Sequence, residues 1–355
     1  MTVTVAATDV NALRARVDEA LAAFFDRQDQ RRPDGAPLDL VSTLHRFVLT
    51  GGKRLRPLFC YWGWRCAGGA DGPPIVAAAA ALELFHAFAL IHDDILDGSD
   101  HRRGRPSVHR TFAELHARSG WAGDPEAYGR NAALLCGDLC AAWADEMFHE
   151  CGLGADAVHR GRSVFAAMRA EAIAGEYLDL GSRNGDSSLA GALTVIRMKG
   201  ARYTVTRPLQ IGAALAGAAP ELITALFEFG DPLGEAFQLR DDVLGVFGDP
   251  ALTGKSVVDD LREGKPTVLM ALVRDAADRG QSARLRHLFG NPALNAEGAA
   301  ELREIIENTG AREKIEQMIR VRADTARAVL AAAPMAAESR VALAELIDRA
   351  VRRRR

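Results

Sequence analysis

The stretch IVAAAAALELFHAFALIHDDILD, Ile75 to Asp97, decides the reading of this chain. Its apolar part, Ile75 to Ile91, is interrupted only by Glu83 and His86. That falls short of the roughly 20 residues needed to span a bilayer. It reads as a buried core helix in a large protein, not as an integral membrane segment. The helix then runs into Asp93-Asp94-Ile95-Leu96-Asp97. On a helix, Asp93 and Asp97 lie one turn apart on one face, where like charges repel. A hard divalent cation removes that repulsion. Mg²⁺ prefers one or two carboxylates completed by water and substrate phosphate.

Helical spacing continues on both sides of this stretch. Val10, Leu13, Val17, Leu21, Phe24 and Phe25 mark a helix over 9–27. The same pattern predicts helices over 75–97, 130–150, 158–181, 189–217, 221–247, 265–279, 298–308 and 311–333. Turn-forming clusters separate them, among them Arg32-Pro33-Asp34-Gly35 and Gly68 to Pro74. Strand signals are few, and no fixed-period repeat or inter-domain linker stands out. The expectation is one all-α domain over residues 1–355, a bundle of ten or more helices around a deep central cavity.

The composition agrees with a packed globule. Hydrophobic residues make up 48% of the 355 and charged residues 26%, which excludes disorder or coiled coil for the bulk of the chain. A net charge of -3 provides no global positive field, so nucleic acid is not an expected partner. The five cysteines are an odd number without paired spacing. They fit reduced thiols and a cytoplasmic location better than a disulfide framework or a zinc site. Met1 to Asp9 lacks the basic start and apolar core of a signal peptide. Arg352 to Arg355 read as a solvated basic tail.

Two further segments carry chemistry. Phe237-Gln238-Leu239-Arg240-Asp241-Asp242 sits in another apolar helix, and Asp241 follows Asp93 by 148 residues. Two carboxylate helices presented to one cavity can clamp several Mg²⁺ ions around a diphosphate. Gly51-Gly52-Lys53-Arg54-Leu55-Arg56-Pro57 offers glycines that admit a ligand close to the backbone and three cations that suit a polyphosphate. Arg102 and Arg103 follow the first acidic motif, and Lys255 and Lys265 follow the second.

In these motifs the chain resembles the trans-isoprenyl diphosphate synthases, the head-to-tail prenyltransferases, over about Leu38 to Ala271. Bacterial geranylgeranyl and farnesyl diphosphate synthases are the nearest pattern. The resemblance implies an isoprenoid-synthase-like all-α bundle, normally a homodimer. It implies isopentenyl diphosphate and an allylic diphosphate (dimethylallyl, geranyl or farnesyl) as substrates. About three Mg²⁺ ions are expected, with Mn²⁺ as a substitute. It assigns Lys53, Arg56 and His86, with Arg103, to the diphosphate of isopentenyl diphosphate. Asp93, Asp97 and Asp241 become metal ligands, supported by Asp94 and Asp242. Arg102, Lys199, Gln238, Lys255 and Lys265 fall to the allylic diphosphate.

Three positions depart from the family pattern. Gly245 stands where the second motif usually ends in Asp, Gly200 where Thr or Ser usually follows Lys199, and Glu176 where Gln is usual. Chain length is set, by resemblance, upstream of the first motif. There, Ala89 beside Phe88, with Phe85 one turn further, resembles the geranylgeranyl (C20) pattern. Farnesyl or longer products are the alternative. A class I terpene cyclase also uses DDxxD, but needs no second diphosphate site such as Lys53, Arg56 and His86. A weakly active prenyl-diphosphate-binding subunit of a heteromeric synthase is the remaining reading, and the intact first motif argues against it.

Overall fold

The computed structural model describes residues 10–31, 38–182, 188–248 and 258–351. Two compact units emerge. One comprises residues 1–162 with 211–217, and the other residues 163–210 with 218–355.

The first unit is built on α4 (Pro73–Leu96). Its alanine run puts little bulk on the helix surface, so neighbouring helices can approach on several sides, and Ala78 to Ala81 are fully buried. α3 (Leu55–Cys66), α1 (Val10–Gln30) and α6 (Pro125–His149) pack on it, with α2 (Leu38–Leu49) beside them. Phe24 and Phe25 of α1 meet Trp143 of α6 edge-on, with ring centroids 6.1 and 5.7 Å apart. Burying each such side chain stabilises the unit by about 1.5–3 kcal/mol. α6 begins at Asp124, whose side chain accepts from the Glu126 N–H, with Pro125 at the first helical position. By length and composition α4 could cross a membrane, but most of it is buried in this unit.

After α4 a hairpin pairs β1 (His101–Arg102) with β2 (Arg105–Pro106), and α5 (Val108–Arg118) follows. Its two loop residues, Arg103 and Gly104, have φ of 54° and 71°. Positive φ at both loop residues is what a tight two-residue turn of the I′ type requires.

α7 (Ala155–Ser182) carries the chain into the second unit. There α8 (Leu189–Val195) passes into a π-helical segment, Ile196–Thr206, and then into α9 (Arg207–Leu215), of which residues 211–215 belong to the first unit. α10 (Pro220–Phe247) packs on the π segment and on the helix Ala311–Ala332. Leu239 and Val243 of α10 share a core with Val268 to Val273, Ile306, Ile315 and Ile319.

The all-α expectation holds, with ten or more helices among the described residues. The single helix expected over 189–217 is instead three segments with a π turn in the middle. Helices α2, α3, α5, Arg279–Leu288 and Ala337–Val351 were not anticipated. In α3 the residues Tyr61, Trp62 and Gly63 are all buried, so one-sided periodicity is missing.

Candidate active site

In the first unit three segments bring cations and carboxylates together. The end of α4 supplies Asp93 and Asp94, with Asp97 as its capping residue; the Asp97 N–H donates to the Asp93 carbonyl at 2.8 Å. Three carboxylates at the negative end of a helix dipole make a strong demand for positive charge. The hairpin answers part of it. Arg102 Nη2 lies 3.0 Å from Asp93 Oδ2, and Arg102 Nε lies 2.9 Å from Asp94 Oδ1. Asp94 is fully buried, whereas Asp93 and Asp97 are half-buried and accessible to a ligand. The repulsion read from the sequence is thus already offset on one side by Arg102.

The hairpin also reaches the glycine loop. Arg103 Nη1 donates to the carbonyls of Thr50 at 2.9 Å and Gly51 at 3.1 Å. Gly52 has φ of 116°, and a Cβ there would sit 3.1 Å from Arg54 Nη1 and 3.3 Å from Arg103 Nη2. The loop therefore needs glycine both for its backbone and for the two guanidiniums beside it. Lys53 is exposed and Arg56 half-buried. His86 of α4 is held well below its ordinary pKa, first by burial and then by the positive charge of Arg56, Arg103, Arg102 and Arg54. Cations beside a neutral imidazole suit an anion rich in oxygens; Arg54 and Arg102, however, are already engaged by carboxylates.

Phe85 is buried and Phe88 half-buried, with ring centroids 5.1 Å apart. Phe88 also meets the His92 ring at 4.6 Å. Ala89 is half-buried on the same helix.

In the second unit the π segment places Lys199. Its Nζ lies 2.9 Å from Glu176 and 2.7 Å from Asp179, both on α7. Gly200 packs against Gln238 of α10; a Cβ there would come within 2.9 Å of Gln238 Oε1. A threonine or serine at this position would shift the end of the Gln238 side chain. Asp241 and Asp242 are half-buried on α10. Between Gln238 and these carboxylates, Arg240 turns away and pairs with Glu316 and the Val351 carbonyl. Lys265 pairs with Glu263 at 2.9 Å. Lys255 lies outside the described residues, as does the tail Arg352 to Arg355.

Among the described residues no three histidine, cysteine or acidic side chains form a ready-made metal cage. Asp93 and Asp97 in the first unit, and Asp241 and Asp242 in the second, each offer hard oxygens in the number that suits a cation completing its shell with water and phosphate. Mg²⁺ fits that donor set. Sequence reasoning missed the buried pair Arg54–Glu83 and the partner carboxylate Asp179. Glu83 had a signal: a lone acid inside an apolar helix must be paired.

The match to known proteins covers these motifs. The polyprenyl synthetase family model matches residues 39–308. The chain belongs to that family. It is a prenyltransferase, an isoprenyl diphosphate synthase. A geranylfarnesyl diphosphate synthase of Aeropyrum pernix is 34% identical over 328 residues, 91% of this chain and 94% of the relative. A farnesyl diphosphate synthase of Mycobacterium tuberculosis is 34% identical over 74% of this chain and 68% of its own. Among solved structures, a geranylgeranyl pyrophosphate synthase from Corynebacterium glutamicum, complexed with isoprenyl diphosphate and magnesium, is 41% identical. Its TM-score is 0.93, over 98% of this chain and 100% of that one.

Proposed function

We propose that this prenyltransferase condenses isopentenyl diphosphate with an allylic diphosphate and that geranylgeranyl diphosphate is its main product. The observation that carries the reading is the pair Arg56 and Arg103 acting on a neutral His86, in a chain with a further cation, Lys199, in its other unit. Two cationic sites suit two diphosphate substrates, whereas a cyclase ionises only one.

In this reading Lys53, Arg56, Arg103 and the neutral His86 hold the diphosphate of isopentenyl diphosphate. Lys199, Gln238, Arg102 and Lys265 hold the allylic diphosphate. Asp93, Asp97 and Asp241 would hold Mg²⁺, which would supply Lewis-acid stabilisation of the departing diphosphate. The allylic C–O bond breaks with its electron pair going to that diphosphate. Lys199 and Arg102 stabilise the charge that builds there. The double bond of isopentenyl diphosphate then bonds to the allylic carbon, and loss of a proton restores a double bond one isoprene unit further on. The apolar face of α4 around Phe88 and Ala89 receives the growing chain and excludes water from the cation.

The magnesium-bound Corynebacterium relative supports the choice of metal; about three ions, with Mn²⁺ as a substitute, rest on the family resemblance alone. We read the protein as one functional domain, a homodimer and cytoplasmic. The five free, buried thiols support the last point. A longer product is the second reading, favoured by the geranylfarnesyl relative. Incubation with labelled isopentenyl diphosphate and each allylic primer, followed by chromatography of the dephosphorylated products, tests the proposal. A C20 alcohol is expected; a cyclic hydrocarbon, or no incorporation of isopentenyl diphosphate, would overturn it.

A further inference from the structure

Among the described residues only two other than glycine adopt positive φ, Arg54 at 52° and Arg103 at 54°. Both guanidiniums lie against Gly52. Strained backbone persists where surrounding contacts over-determine it. At Arg54 those contacts come from three helices. Nε donates to Asp18 of α1 at 2.7 Å, Nη2 to the Val48 carbonyl of α2 at 2.8 Å, and Nη1 to Glu83 of α4 at 2.9 Å. Arg14 of α1 adds a fourth tie, donating from Nη2 to the Gly52 carbonyl at 2.8 Å. Burial alone would lower the Arg54 pKa; Glu83 and Asp18 more than offset it, so the charge is held.

Arg54 itself is only 3% exposed, so it cannot serve as an open ligand for substrate. It separates Lys53, which is exposed, from Arg56, which is half-buried. Arg54 is turned inward in the same short segment that carries Lys53 and Arg56. Two of the four ties come from α1, which precedes residues 39–308 matched by the family.

We propose that α1 is a positioning element for the isopentenyl diphosphate loop, with Asp18 and Arg14 as positioning residues that set Lys53 and Arg56 through Arg54 and Gly52. This rests on the reading of Lys53 and Arg56 as the isopentenyl diphosphate site. The prediction is specific because a loop that binds only one substrate should disturb only that substrate. Small misplacements of a binding group weaken binding steeply.

The test uses the full chain and the variants Asp18→Asn, Asp18→Glu, Arg14→Ala and Lys53→Ala. The Asp18 side chain is 45% exposed, so Asp18→Asn breaks the ion pair without opening the core. Asp18→Asn should raise the isopentenyl KM about tenfold, the scale of one lost charge-assisted hydrogen bond. The allylic KM and kcat should stay within about twofold, as for lost uniform binding. Asp18→Glu should restore most of the wild-type KM. Arg14→Ala should reproduce the KM effect should Asp18→Asn fail to fold. If Lys53→Ala raises the isopentenyl KM but Asp18→Asn and Arg14→Ala do not, the positioning role is wrong and the loop reading stands. If Asp18→Asn lowers only the thermal midpoint and kcat, α1 is merely structural and the proposal falls. If Lys53→Ala leaves that KM unchanged, the loop reading fails and takes this proposal with it.

Discussion

Arg102 spans the first acidic motif, with Nη2 3.0 Å from Asp93 Oδ2 and Nε 2.9 Å from Asp94 Oδ1. The helix end therefore carries an internal counter-charge beside the carboxylates proposed to hold metal. A cation at Asp93 has to share that oxygen set with a guanidinium. Removing Arg102 should then tighten metal binding while weakening substrate binding. Arg102→Ala is expected to lower the half-saturating Mg²⁺ concentration and to raise the allylic KM. Asp93→Ala and Asp241→Ala should each lower kcat by about 10²–10³-fold, the scale of losing one electrostatic stabiliser. Steady-state kinetics across a Mg²⁺ titration checks both. Wild-type turnover in excess chelator would sink the metal assignment.

Lys199 is engaged by two carboxylates at once, Glu176 and Asp179. An allylic diphosphate must compete with them for the ammonium. Glu176→Gln keeps the shape, removes one negative charge and leaves Asp179 as the partner. The allylic KM should fall about fivefold, since a partly exposed ion pair contributes on the order of 1 kcal/mol. The isopentenyl KM should not move. An unchanged or higher allylic KM would mean that Glu176 does not compete for Lys199.

His86 gives the fold a pH dependence whose sign follows from its depressed pKa. The unfolded chain protonates this imidazole near its ordinary value of 6.5, while the folded chain resists because of burial and the surrounding arginines. Below 6.5 the unfolded state therefore binds more protons, and stability falls as pH drops. His109 acts in the same direction through burial and Arg110. The thermal midpoint should decline from pH 7.5 to 5.5, and His86→Gln should flatten part of that decline. An identical slope in the variant would place the effect at other groups.

Much of this was legible in the residues. The run of alanine and leucine announced α4, and the acidic ends of α4 and α10 stood out because such pairs have no packing role. What escaped was set by tertiary partners. Nothing in Gly51 to Pro57 marks Arg54 as buried and Lys53 as exposed; Asp18 and Glu83, 36 residues before and 29 after, decide it. The π segment was hidden too, because Ile196 to Thr206 has helical periodicity. The segment packs closely on α7 where Gly175 admits the Lys199 backbone: a Cβ at Gly175 would lie 2.5 Å from the Lys199 nitrogen. α3 was lost because a helix buried on every face carries no amphipathic signal.

Product length should answer to Phe88 more than to Phe85. The growing chain is proposed to run down α4 from Asp93, and each residue of a helix advances about 1.5 Å. Phe88 then lies roughly 7–8 Å and Phe85 roughly 12 Å from the acidic motif. The two rings touch, with centroids 5.1 Å apart, but only Phe88 retains exposed surface; Phe85 is 1% exposed. Phe88→Ala opens an apolar void that can accept apolar atoms, and should shift the product from C20 to C25 or longer. Phe85→Ala should lengthen the product too, at a stability loss of roughly 3–5 kcal/mol expected for a buried ring. Ala89→Phe adds a ring nearer the motif and should shorten the product to C15. Chromatography of dephosphorylated products, with thermal midpoints measured in parallel, separates chain-length effects from damage to the fold. If Phe88→Ala and Phe85→Ala both fold, stay active and stop at the native length, the floor of the chain site is not on α4.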